Sequence, residues 1–477
     1  MAYWLQPTRF LASPSTPTVG VHPNGELDRY MRVLVVGAGE VGFHLAQRLS
    51  EEHQDVVVID SDPEHADHAA QHLDVQTVVG NGASSSALER ASVRRASMLL
   101  AVTSSDEVNL IACLAAKRLG VAYTVARISN PDYYETDSVL SREQMGIDLM
   151  VNPERECARE TFQLLQNAAF TDVADFAGGR VQLVGLKVRP GAPVAGRIIR
   201  DLRAELGGYH YVTVAIVRRG RTWVPKADST IEAGDHIYLL APTTEMKDVP
   251  PLAGYDRFDL KRVMIAGGST EGQYIAELLE QRDIECTILD RDRRRCVELA
   301  ELLPKSLVLH ADATDLELLE MEGVSGTDGY VAATGNDETN LLSSLLAKEA
   351  GARKVLTLVH KFEYLKLVPA VGVDASISPR IAAVNAILRR VRRGRVMTVA
   401  SLSGIEAEAI EFEVGNHSRI AGQALRDVDF PKAGVVGTII RGAEIILPTG
   451  DDVVHPGDDV IVFAMPDAIA QVEALFS

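Results

Sequence analysis

The stretch MRVLVVGAGEVGFHLAQRLSEEHQDVVVID, residues 31–60, decides the fold. An apolar run leads directly into the glycine turn Gly37-Ala38-Gly39-Glu40-Val41-Gly42, a sequence with helical periodicity follows, and a second apolar run ends on Asp60. This order is typical of a strand, a tight turn, a helix and a second parallel strand. We therefore predict a βαβ unit that opens a doubly wound α/β sheet of the Rossmann type.

The chemistry of the turn points to a nucleotide. Gly37 permits the turn, Gly39 lets a pyrophosphate approach the backbone, and Gly42 allows close packing of helix on strand. Unpaired N–H groups at the helix N-terminus would face the phosphates. Asp60 follows Gly42 by 60 − 42 = 18 residues, a spacing at which a carboxylate can hold a ribose diol. The predicted contacts are Gly37, Ala38, Gly39, Glu40, Val41, Gly42 and Asp60. The alternative is a glycine-rich turn in an α/β domain that binds nothing.

Four polar residues stand where three further predicted strands end, at the edge that lines the ligand crevice of a doubly wound sheet. An amide there can bond a base or a ribose, hydroxyl groups can bond ribose or phosphate, and a guanidinium can pair with a phosphate. The residues are, in that order of chemistry, Asn81, then Thr103 and Ser104, then Arg127. The alternative for each is a turn cap or an ordinary surface residue.

Composition narrows the class of protein. The formal net charge of −18 argues against nucleic-acid binding and against adhesion to anionic membranes. No stretch approaches the ~18 uninterrupted apolar residues of a membrane-spanning helix, so we expect no direct membrane insertion. The four cysteines show no CxxC spacing, which gives no metal framework and fits a reducing cytoplasm.

The chain repeats itself. Residues 261–290 restate residues 31–60 at a shift of 230, so that Gly267 matches Gly37 and Asp290 matches Asp60. AVTSSDEVNL at 101–110 matches AATGNDETNL at 332–341 at a shift of 231. A smaller module of about 75 residues, the size of a compact α+β unit, also recurs. We therefore predict a duplicated pair of Rossmann lobe and small α+β lobe.

The predicted organisation has seven parts. Residues 1–30 contain prolines that break any periodicity, and they are expected to be a disordered tail or a mis-called start before Met31. The expected ranges are 31–152 for the first Rossmann lobe, 153–172 for a linker helix, 173–250 for the first small lobe, 260–378 for the second Rossmann lobe, 379–397 for a second linker helix, and 398–477 for the second small lobe.

The two copies of the glycine turn differ. Ser269 replaces the middle glycine, where a Cβ crowds the closest approach of a pyrophosphate, and Leu358 stands where the first copy has Arg127. We expect the second site to be weaker, different in ligand or vestigial. Arg291 and the run 293–295 follow its acid; a phosphate or partner contact and a solvated helix end both remain open. The corresponding second-site residues are Gly267, Gly268, Gly272, Asp290, Asp312 and Thr334.

The chain resembles the TrkA family, the cytosolic regulatory subunits of bacterial Trk potassium-uptake systems, which carry tandem RCK (KTN) domains. The resemblance rests on GAGEVG with Asp60, GNGAS, AVTSSDEVN, ARISNPDYY and the EAGD and HPGD turns, and it covers about residues 31–477. It implies that NAD(H) or an adenine nucleotide (ATP/ADP) binds the first lobe at Gly37 to Val41, Asp60, Thr103, Ser104 and Arg127. It also implies assembly through the Rossmann lobes and docking on a membrane pore subunit.

The expected function is therefore that of a non-catalytic sensor. It would form a homo-oligomer, a dimer or a tetrameric ring, and would lie on the inner face of the plasma membrane through a Trk-type potassium pore. An NAD-dependent dehydrogenase is one alternative, although it would need a substrate domain with an acid or base over the nicotinamide. A nucleotide-sensing regulator of another transporter is a further alternative.

Overall fold

A computed structural model of the chain describes residues 32–51, 54–134, 142, 145–166, 169–205, 211–256, 260–365, 368–391, 396–401 and 407–476. The predicted N-terminal extension, residues 1–30, lies outside them. Within the described residues, one order of elements occurs twice: a parallel sheet, a helix and a small antiparallel sheet. The fold class predicted from the duplicated motifs is confirmed.

The first Rossmann lobe is a six-stranded parallel sheet. Its central strands are runs of buried apolar residues, as expected where helices cover both faces of a sheet, whereas the edge strand at residues 76–79 is partly exposed. The strands are β1 Arg32–Val36, β2 Asp55–Asp60, β3 Gln76–Val79, β4 Met98–Ala101, β5 Tyr123–Arg127 and β6 Leu149–Val151. The α-helices are α1 Glu40–Glu51, α2 Pro63–His72, α3 Ser85–Arg90 and α4 Asp106–Arg118.

The strand order β3-β2-β1-β4-β5-β6 fixes where a ligand can bind. Val36 of the central β1 is paired with Ile59 of β2 on one side and with Ala101 of β4 on the other. The order of connection reverses between β1 and β4, so a crevice opens outside the carboxyl ends of these strands. The glycine turn, Asp60 and Thr103 all lie at this edge.

A linker helix, α5 Pro153–Gln166, leads to the first small lobe. This helix is shorter than the expected range 153–172, because Phe170 already begins a strand and is fully buried. The antiparallel sheet has the order β10-β9-β11-β8-β7. The elements of the lobe are β7 Phe170–Phe176, β8 Val181–Lys187, α6 Ile199–Glu205, β9 Val212–Arg218, β10 Arg221–Trp223, β11 His236–Pro242 and α7 Val249–Leu252.

The second Rossmann lobe repeats the first in the strand order β14-β13-β12-β15-β16-β17. Its strands are β12 Arg262–Ala266, β13 Glu285–Asp290, β14 Leu307–His310, β15 Gly329–Ala332, β16 Lys354–Leu358 and β17 Ala375–Ile377. Its helices are α8 Thr270–Glu280, α9 Arg293–Leu302, α10 Leu316–Met321, α11 Asp337–Glu349, α12 Phe362–Leu365 and α13 Val368–Val371. The duplication read from the sequence thus extends to the topology.

The second linker helix, α14 Pro379–Val391, ends before the expected position 397, and the next strand starts at Val396. The second small lobe has the strand order β18-β19-β22-β20-β21. Its elements are β18 Val396–Ser401, β19 Glu408–Glu413, β20 Gly434–Arg441, β21 Glu444–Ile446, β22 Asp459–Ala464 and α15 Pro466–Phe476. A helix suited to crossing a bilayer is absent from the described part of the chain, where every helix is too short or too polar.

The two linker helices are exchanged between the halves of the chain. α5 follows the first Rossmann lobe but packs on α8 of the second, where Phe162 and Leu165 join the apolar core. α14 follows the second lobe but packs on α1 of the first, where Ile387 and Leu388 are buried. The fit is close, since a Cβ at Gly329 would lie 2.6 Å from Leu165 Cδ2. Each Rossmann core is therefore completed by the other half.

Candidate functional site

The first glycine turn is closed by packing at both ends and open in the middle. Gly37 has φ +101°, and a Cβ there would lie 3.0 Å from the backbone nitrogen of Thr103. A Cβ at Gly42 would lie 1.7 Å from the Gly37 carbonyl oxygen. A Cβ at Gly39 would meet no heavy atom within 4 Å. The outer glycines are thus required by the fold, whereas Gly39 faces the space that a ligand would use.

Asp60 ties the turn to the end of β2 and keeps capacity for a ligand. Its Oδ2 accepts the Ala38 N–H at 2.5 Å, and its Oδ1 accepts the Asp62 N–H at 2.8 Å. A carboxylate offers about four lone-pair sites, so each oxygen retains one for a hydroxyl donor. Asp60 can therefore hold the turn and a ribose diol together.

The side chains of Thr103 and Asn81, which were predicted to contact a ligand, form hydrogen bonds within their own loops. The Thr103 hydroxyl donates to Asn109 Oδ1 at 2.8 Å and accepts the Ser105 N–H at 3.2 Å. Asn81 Oδ1 accepts the Ala83 N–H at 2.9 Å, which makes a tight turn after β3. Ser104 is exposed at the crevice edge. These residues shape the crevice, and their contact with a ligand remains a prediction.

Arg127, the last residue of β5, brings a cation to the crevice. Among the described residues its guanidinium has no hydrogen bond or salt bridge, and the side chain is partly exposed. Burial raises the pKa of the neighbouring Glu154, while Arg127 acts in the opposite direction. Glu154 Oε1 accepts the Ser129 hydroxyl at 3.2 Å, and its buried Oε2 has no partner among the described residues. A phosphate is a suitable partner for the free guanidinium.

Two residues that position the crevice loops, Asn109 and Asp106, were not predicted from the sequence motifs. Asn109 is fully buried, and its Nδ2 donates to the carbonyl oxygens of Thr103 at 3.1 Å and of Arg127 at 2.8 Å. Asp106 accepts the N–H groups of Ser129 and Asn130, which fixes the loop after β5. The signal for both was present, because the repeated AVTSSDEVNL and AATGNDETNL keep the Asp and the Asn in register.

The second lobe keeps the framework of the turn. Gly267 has φ +109°, and a Cβ at Gly272 would lie 2.3 Å from the Gly267 carbonyl oxygen. Asp290 Oδ2 accepts the Gly268 N–H at 2.6 Å, as Asp60 does in the first lobe. Asp312 Oδ1 accepts hydrogen bonds from the backbone N–H and the hydroxyl of Thr314, in the turn after β14. The local geometry that makes the strand, turn and helix is therefore shared by both copies.

The phosphate end of the second turn is different. Ser269 Oγ accepts the Gly272 N–H at 3.2 Å, so a side chain caps α8. Thr334, like its counterpart Thr103, donates its hydroxyl to a buried Asn, here Asn340, at 2.6 Å. Leu358 is buried where the first lobe has its free arginine. Lys361, which would have to replace that cation, is held by Glu338 at 2.8 Å.

A charged cluster lies beside the second turn. His360 Nδ1 is 2.8 Å from Asp337 Oδ1, and its Nε2 is 4.0 Å from Glu271 Oε1. Glu271, together with Asp337 and against the opposing effect of burial, raises the pKa of His360 to about 9. Arg380 of α14 donates to the His360 carbonyl oxygen at 2.8 Å and pairs with Glu40 of the first glycine turn. Arg380 therefore links the first glycine turn to the charged cluster beside the second turn.

The first crevice offers a set of groups that suits a nucleotide. The turn has an opening at Gly39, the carboxylate of Asp60 has spare acceptor capacity, and Arg127, which lies near Glu154, has no hydrogen bond or salt bridge from its guanidinium among the described residues. These groups bind phosphate and ribose rather than metal. In the described part of the chain, no three His, Cys, Asp or Glu side chains come together in a way that would hold a metal ion.

Comparison with known families agrees with this fold. The TrkA-N domain model matches residues 33–153 and 263–379, and the TrkA-C domain model matches 183–252 and 409–477. Trk system potassium uptake protein TrkA homolog 1 of Methanosarcina mazei is 37% identical over 455 residues, which cover 94% of this chain and 100% of the relative. Trk system potassium uptake protein TrkA of Azorhizobium caulinodans is 36% identical over 451 residues, covering 94% and 98%.

Two solved structures are similar along nearly the whole chain. The crystal structure of the GsuK RCK domain has a TM-score of 0.56 at 16% identity and covers 97% of this chain and 98% of that one. The GsuK channel bound to NAD has a TM-score of 0.57 at 17% identity and covers 97% and 81%. At these identities the similarity is one of fold.

Replacing His360 by Gln should make stability less dependent on pH. The pKa of His360 is raised in the folded state, so its contribution is complete below the ordinary value of 6.5 and is lost as pH rises through about 9. The shift limits this contribution to about 3 kcal/mol. Urea unfolding from pH 6 to pH 10 should show the wild type exceeding His360→Gln most at pH 6, with the difference shrinking toward pH 10. A difference that stays constant over this range would contradict the role of the charged imidazole.

Proposed function

The chain belongs to the TrkA family, and we propose that it is the nucleotide-binding regulatory subunit of a potassium uptake system. NAD(H) or an adenine nucleotide, ATP or ADP, binds its first Rossmann lobe and controls a separate membrane pore. The proposal draws on relatives named as Trk system potassium uptake proteins, which match nearly the whole chain. The observation that carries it is the open first turn, where a Cβ at Gly39 would meet no atom within 4 Å.

The ligand contacts follow from the groups at the crevice. The N–H groups at the start of α1, from Glu40 and Val41, would bond the phosphates, and Arg127 would add a positive charge. Asp60 would hold the ribose diol through its spare lone pairs. Its negative charge also disfavours a 2′-phosphate, and therefore NADP, at that position. In this proposal the nucleotide is a regulatory ligand and takes part in no reaction.

We infer a sensor rather than an enzyme. Each Rossmann lobe is followed by a small lobe with one five-stranded antiparallel sheet, which packs against the other small lobe instead of covering a crevice. Phe176 and Tyr238 of one sheet meet Ala409 and Phe463 of the other in a shared apolar core. The small lobes therefore join the two halves. In the part of the chain that the structure describes, neither of them covers a crevice as the substrate domain of a dehydrogenase would.

The helix that would bind the phosphates is also the helix that contacts the other half. At its start, Glu40 pairs with Arg380 of α14. Along its length, α1 packs on the apolar face of α14. Near its end, Arg48 Nη1 lies 3.2 Å from Glu408 Oε1 at the start of β19. A ligand that shifts α1 would act on the second linker helix and the second small lobe, provided that it binds the two arrangements with different affinity.

We further propose that the chain works in the cytoplasm, on the inner face of the plasma membrane, as a homo-oligomer docked on its pore. Support for oligomerisation comes from two exposed apolar side chains at matching positions of the repeat. Ile111 of α4 is 48% exposed and Leu342 of α11, at a shift of 231, is 49% exposed. Leu345 on α11 extends this apolar face. A dimer or a tetrameric ring formed through α4 and α11 would cover it.

Replacing Gly39 by Ser should strongly weaken nucleotide binding without loss of stability. The new side chain would enter open space and cap α1 as Ser269 caps α8. A Ser cap is favoured over Gly by about a few tenths of a kcal/mol, so the unfolding midpoint should stay equal or rise. Calorimetric titration with NADH, NAD, ATP and ADP should show wild-type binding and at least a roughly tenfold loss in the variant.

Gly335→Ser is the matched control for this titration, and Asp60→Asn is a second test of the same site. A Cβ at Gly335 also meets no atom within 4 Å, but this residue lies in the second lobe, so binding should be unchanged. Asp60→Asn retains the size of the acid and loses its charge, so binding should weaken as it does for Gly39→Ser. Absence of binding of all four nucleotides to the wild type would refute the proposed function.

Replacing Arg380 by Gln should separate binding from regulation. The variant removes the ion pair between α14 and Glu40 while leaving the turn, Asp60 and Arg127 in place. Nucleotide affinity should change by less than about threefold, because exposed ion pairs contribute about 0–1 kcal/mol. Potassium uptake in cells that also express the pore should lose most of its response to nucleotide level. Arg426→Gln, which removes an ion pair within the second small lobe, is the control that should keep the response.

Charging the exposed face of α4 and α11 should prevent assembly. In the double variant Ile111→Asp and Leu342→Asp, a carboxylate would have to be buried at the proposed interface without a partner, which is strongly unfavourable. Light scattering after size exclusion should show a wild-type oligomer and a variant that elutes as a single chain. Met321→Asp, at a side chain that is 83% exposed on α10, is the control that should leave the oligomer intact. An unchanged mass for the double variant would exclude this face.

A further inference from the structure

The start of α8 is capped by the chain's own side chain. In the first lobe, Gly39 has no side chain with which to cap α1. In the second lobe, Ser269 stands at the equivalent position and its Oγ accepts the Gly272 N–H at 3.2 Å. A helix N-terminus attracts anions because its first N–H groups are unpaired. Ser269 therefore consumes part of what a phosphate would bind.

A carboxylate already lies at this helix start. Ser269 donates its hydroxyl to Glu271 Oε2 at 2.9 Å, within the first turn of α8. Burial opposes ionisation of Glu271, but the hydrogen bond from His360 helps to hold its pKa below the ordinary value. The nearby cation, His360, is itself shared between Glu271 and Asp337. An incoming phosphate would meet two carboxylates whose counter-charge is already engaged.

Arg295 of α9 holds the same turn from the side of the acid. Its Nε donates to the Gly268 carbonyl oxygen at 2.7 Å and its Nη2 donates to Gln273 Oε1 at 2.8 Å. Its side chain is only 22% exposed. At the shift of 230, the first lobe has His65, which is 54% exposed and approaches Asp60 at 3.8 Å. The arginine run read from the sequence thus contains one residue that faces the turn and fastens it.

No replacement for the first lobe's free arginine is present in the described part of the second crevice. Leu358 occupies the end of β16, and the ammonium of Lys361 lies 2.8 Å from Glu338 Oε1 and over the ring of Tyr364. The second lobe therefore combines a capped helix start, a turn fastened by Arg295, and no free cation among the described residues at the end of β16.

We propose that each chain binds one nucleotide, in the first Rossmann lobe, and that Ser269, Glu271 and Arg295 keep the second turn closed by taking the place of a ligand. This inference rests on the proposed function of the first lobe and adds its stoichiometry. The second lobe holds one arrangement at every nucleotide level. The first lobe is the one that responds, and the contacts of α1 carry its response to α14 and the second small lobe.

The stoichiometry can be measured on the full chain by calorimetric titration with NADH, NAD, ATP and ADP. The expected result is one site per chain for each nucleotide that binds. Asp290→Asn should leave the stoichiometry and the affinity unchanged, whereas Asp60→Asn should remove the site. Two sites per chain, or half of the binding lost in Asp290→Asn, would overturn the inference while leaving the proposed function intact. Absence of binding in the wild type would instead refute the proposed function.

A second experiment opens the closed turn. The quadruple variant Ser269→Gly, Glu271→Val, Arg295→His and Leu358→Arg places the first lobe's residues at these four positions of the second lobe, and its stoichiometry should rise from one site to two. A folded quadruple variant that still binds one nucleotide would show that these residues do not close the site.

Hydrogen exchange of the wild-type chain gives a test that needs no variant. Saturating nucleotide should slow exchange of the amides at the start of α1 and leave those at the start of α8 unchanged. Slowed exchange at both helix starts would overturn the inference.

Discussion

The structure depends on the exchange of two linker helices. In each Rossmann lobe, one helix, α1 or α8, has an apolar face that its own half does not cover. The linker helix of the other half packs on that face. The buried side chains include Phe162 and Leu165 on one side and Ile387 and Leu388 on the other. Each such side chain contributes about 1.5–3 kcal/mol when removed from water. The mutual position of the two lobes is therefore set by close core packing, which favours discrete arrangements over gradual deformation.

The duplication also shows how one turn can serve two purposes. The outer glycines are fixed in both copies by steric limits, since any Cβ at Gly42 or Gly272 would collide with a carbonyl oxygen. The middle position has no such limit, and the need of the helix start for a hydrogen-bond acceptor can be met in two ways. With Gly39 the acceptor must come from water or a ligand, whereas with Ser269 it comes from the chain itself. The hydroxymethyl group of Ser269 is thus one of the differences on which the proposed single binding site rests.

The extent to which the sequence predicts this structure follows from the range of the interactions. The βαβ units and the role of the outer glycines rest on contacts within about 30 residues, the span of the motif itself. The repeat then extends them to both halves. The contacts of His360 with Glu271 and of Arg380 with Glu40 join elements that are far apart in the sequence and meet only in the tertiary fold. No spacing rule identifies them in advance. The linker range 153–172 is longer than the helix it contains, because the buried Phe170 already starts β7.

The charges between the crevices give the second lobe a role beside a turn that, as we propose, binds no nucleotide. Arg380 stands between Glu40 at the first turn and the carbonyl oxygen of His360 at the second, and the ring of His360 is held by Asp337 and Glu271. Partly buried charges are screened less than exposed ones, so a new negative charge near Glu40 would be felt by Arg380. A phosphate bound at the first turn would repel the Glu40 carboxylate and so disturb its ion pair with Arg380. Because the second turn is fastened by its own side chains, it would resist this disturbance, and the displacement would pass along α14 instead of being absorbed beside it.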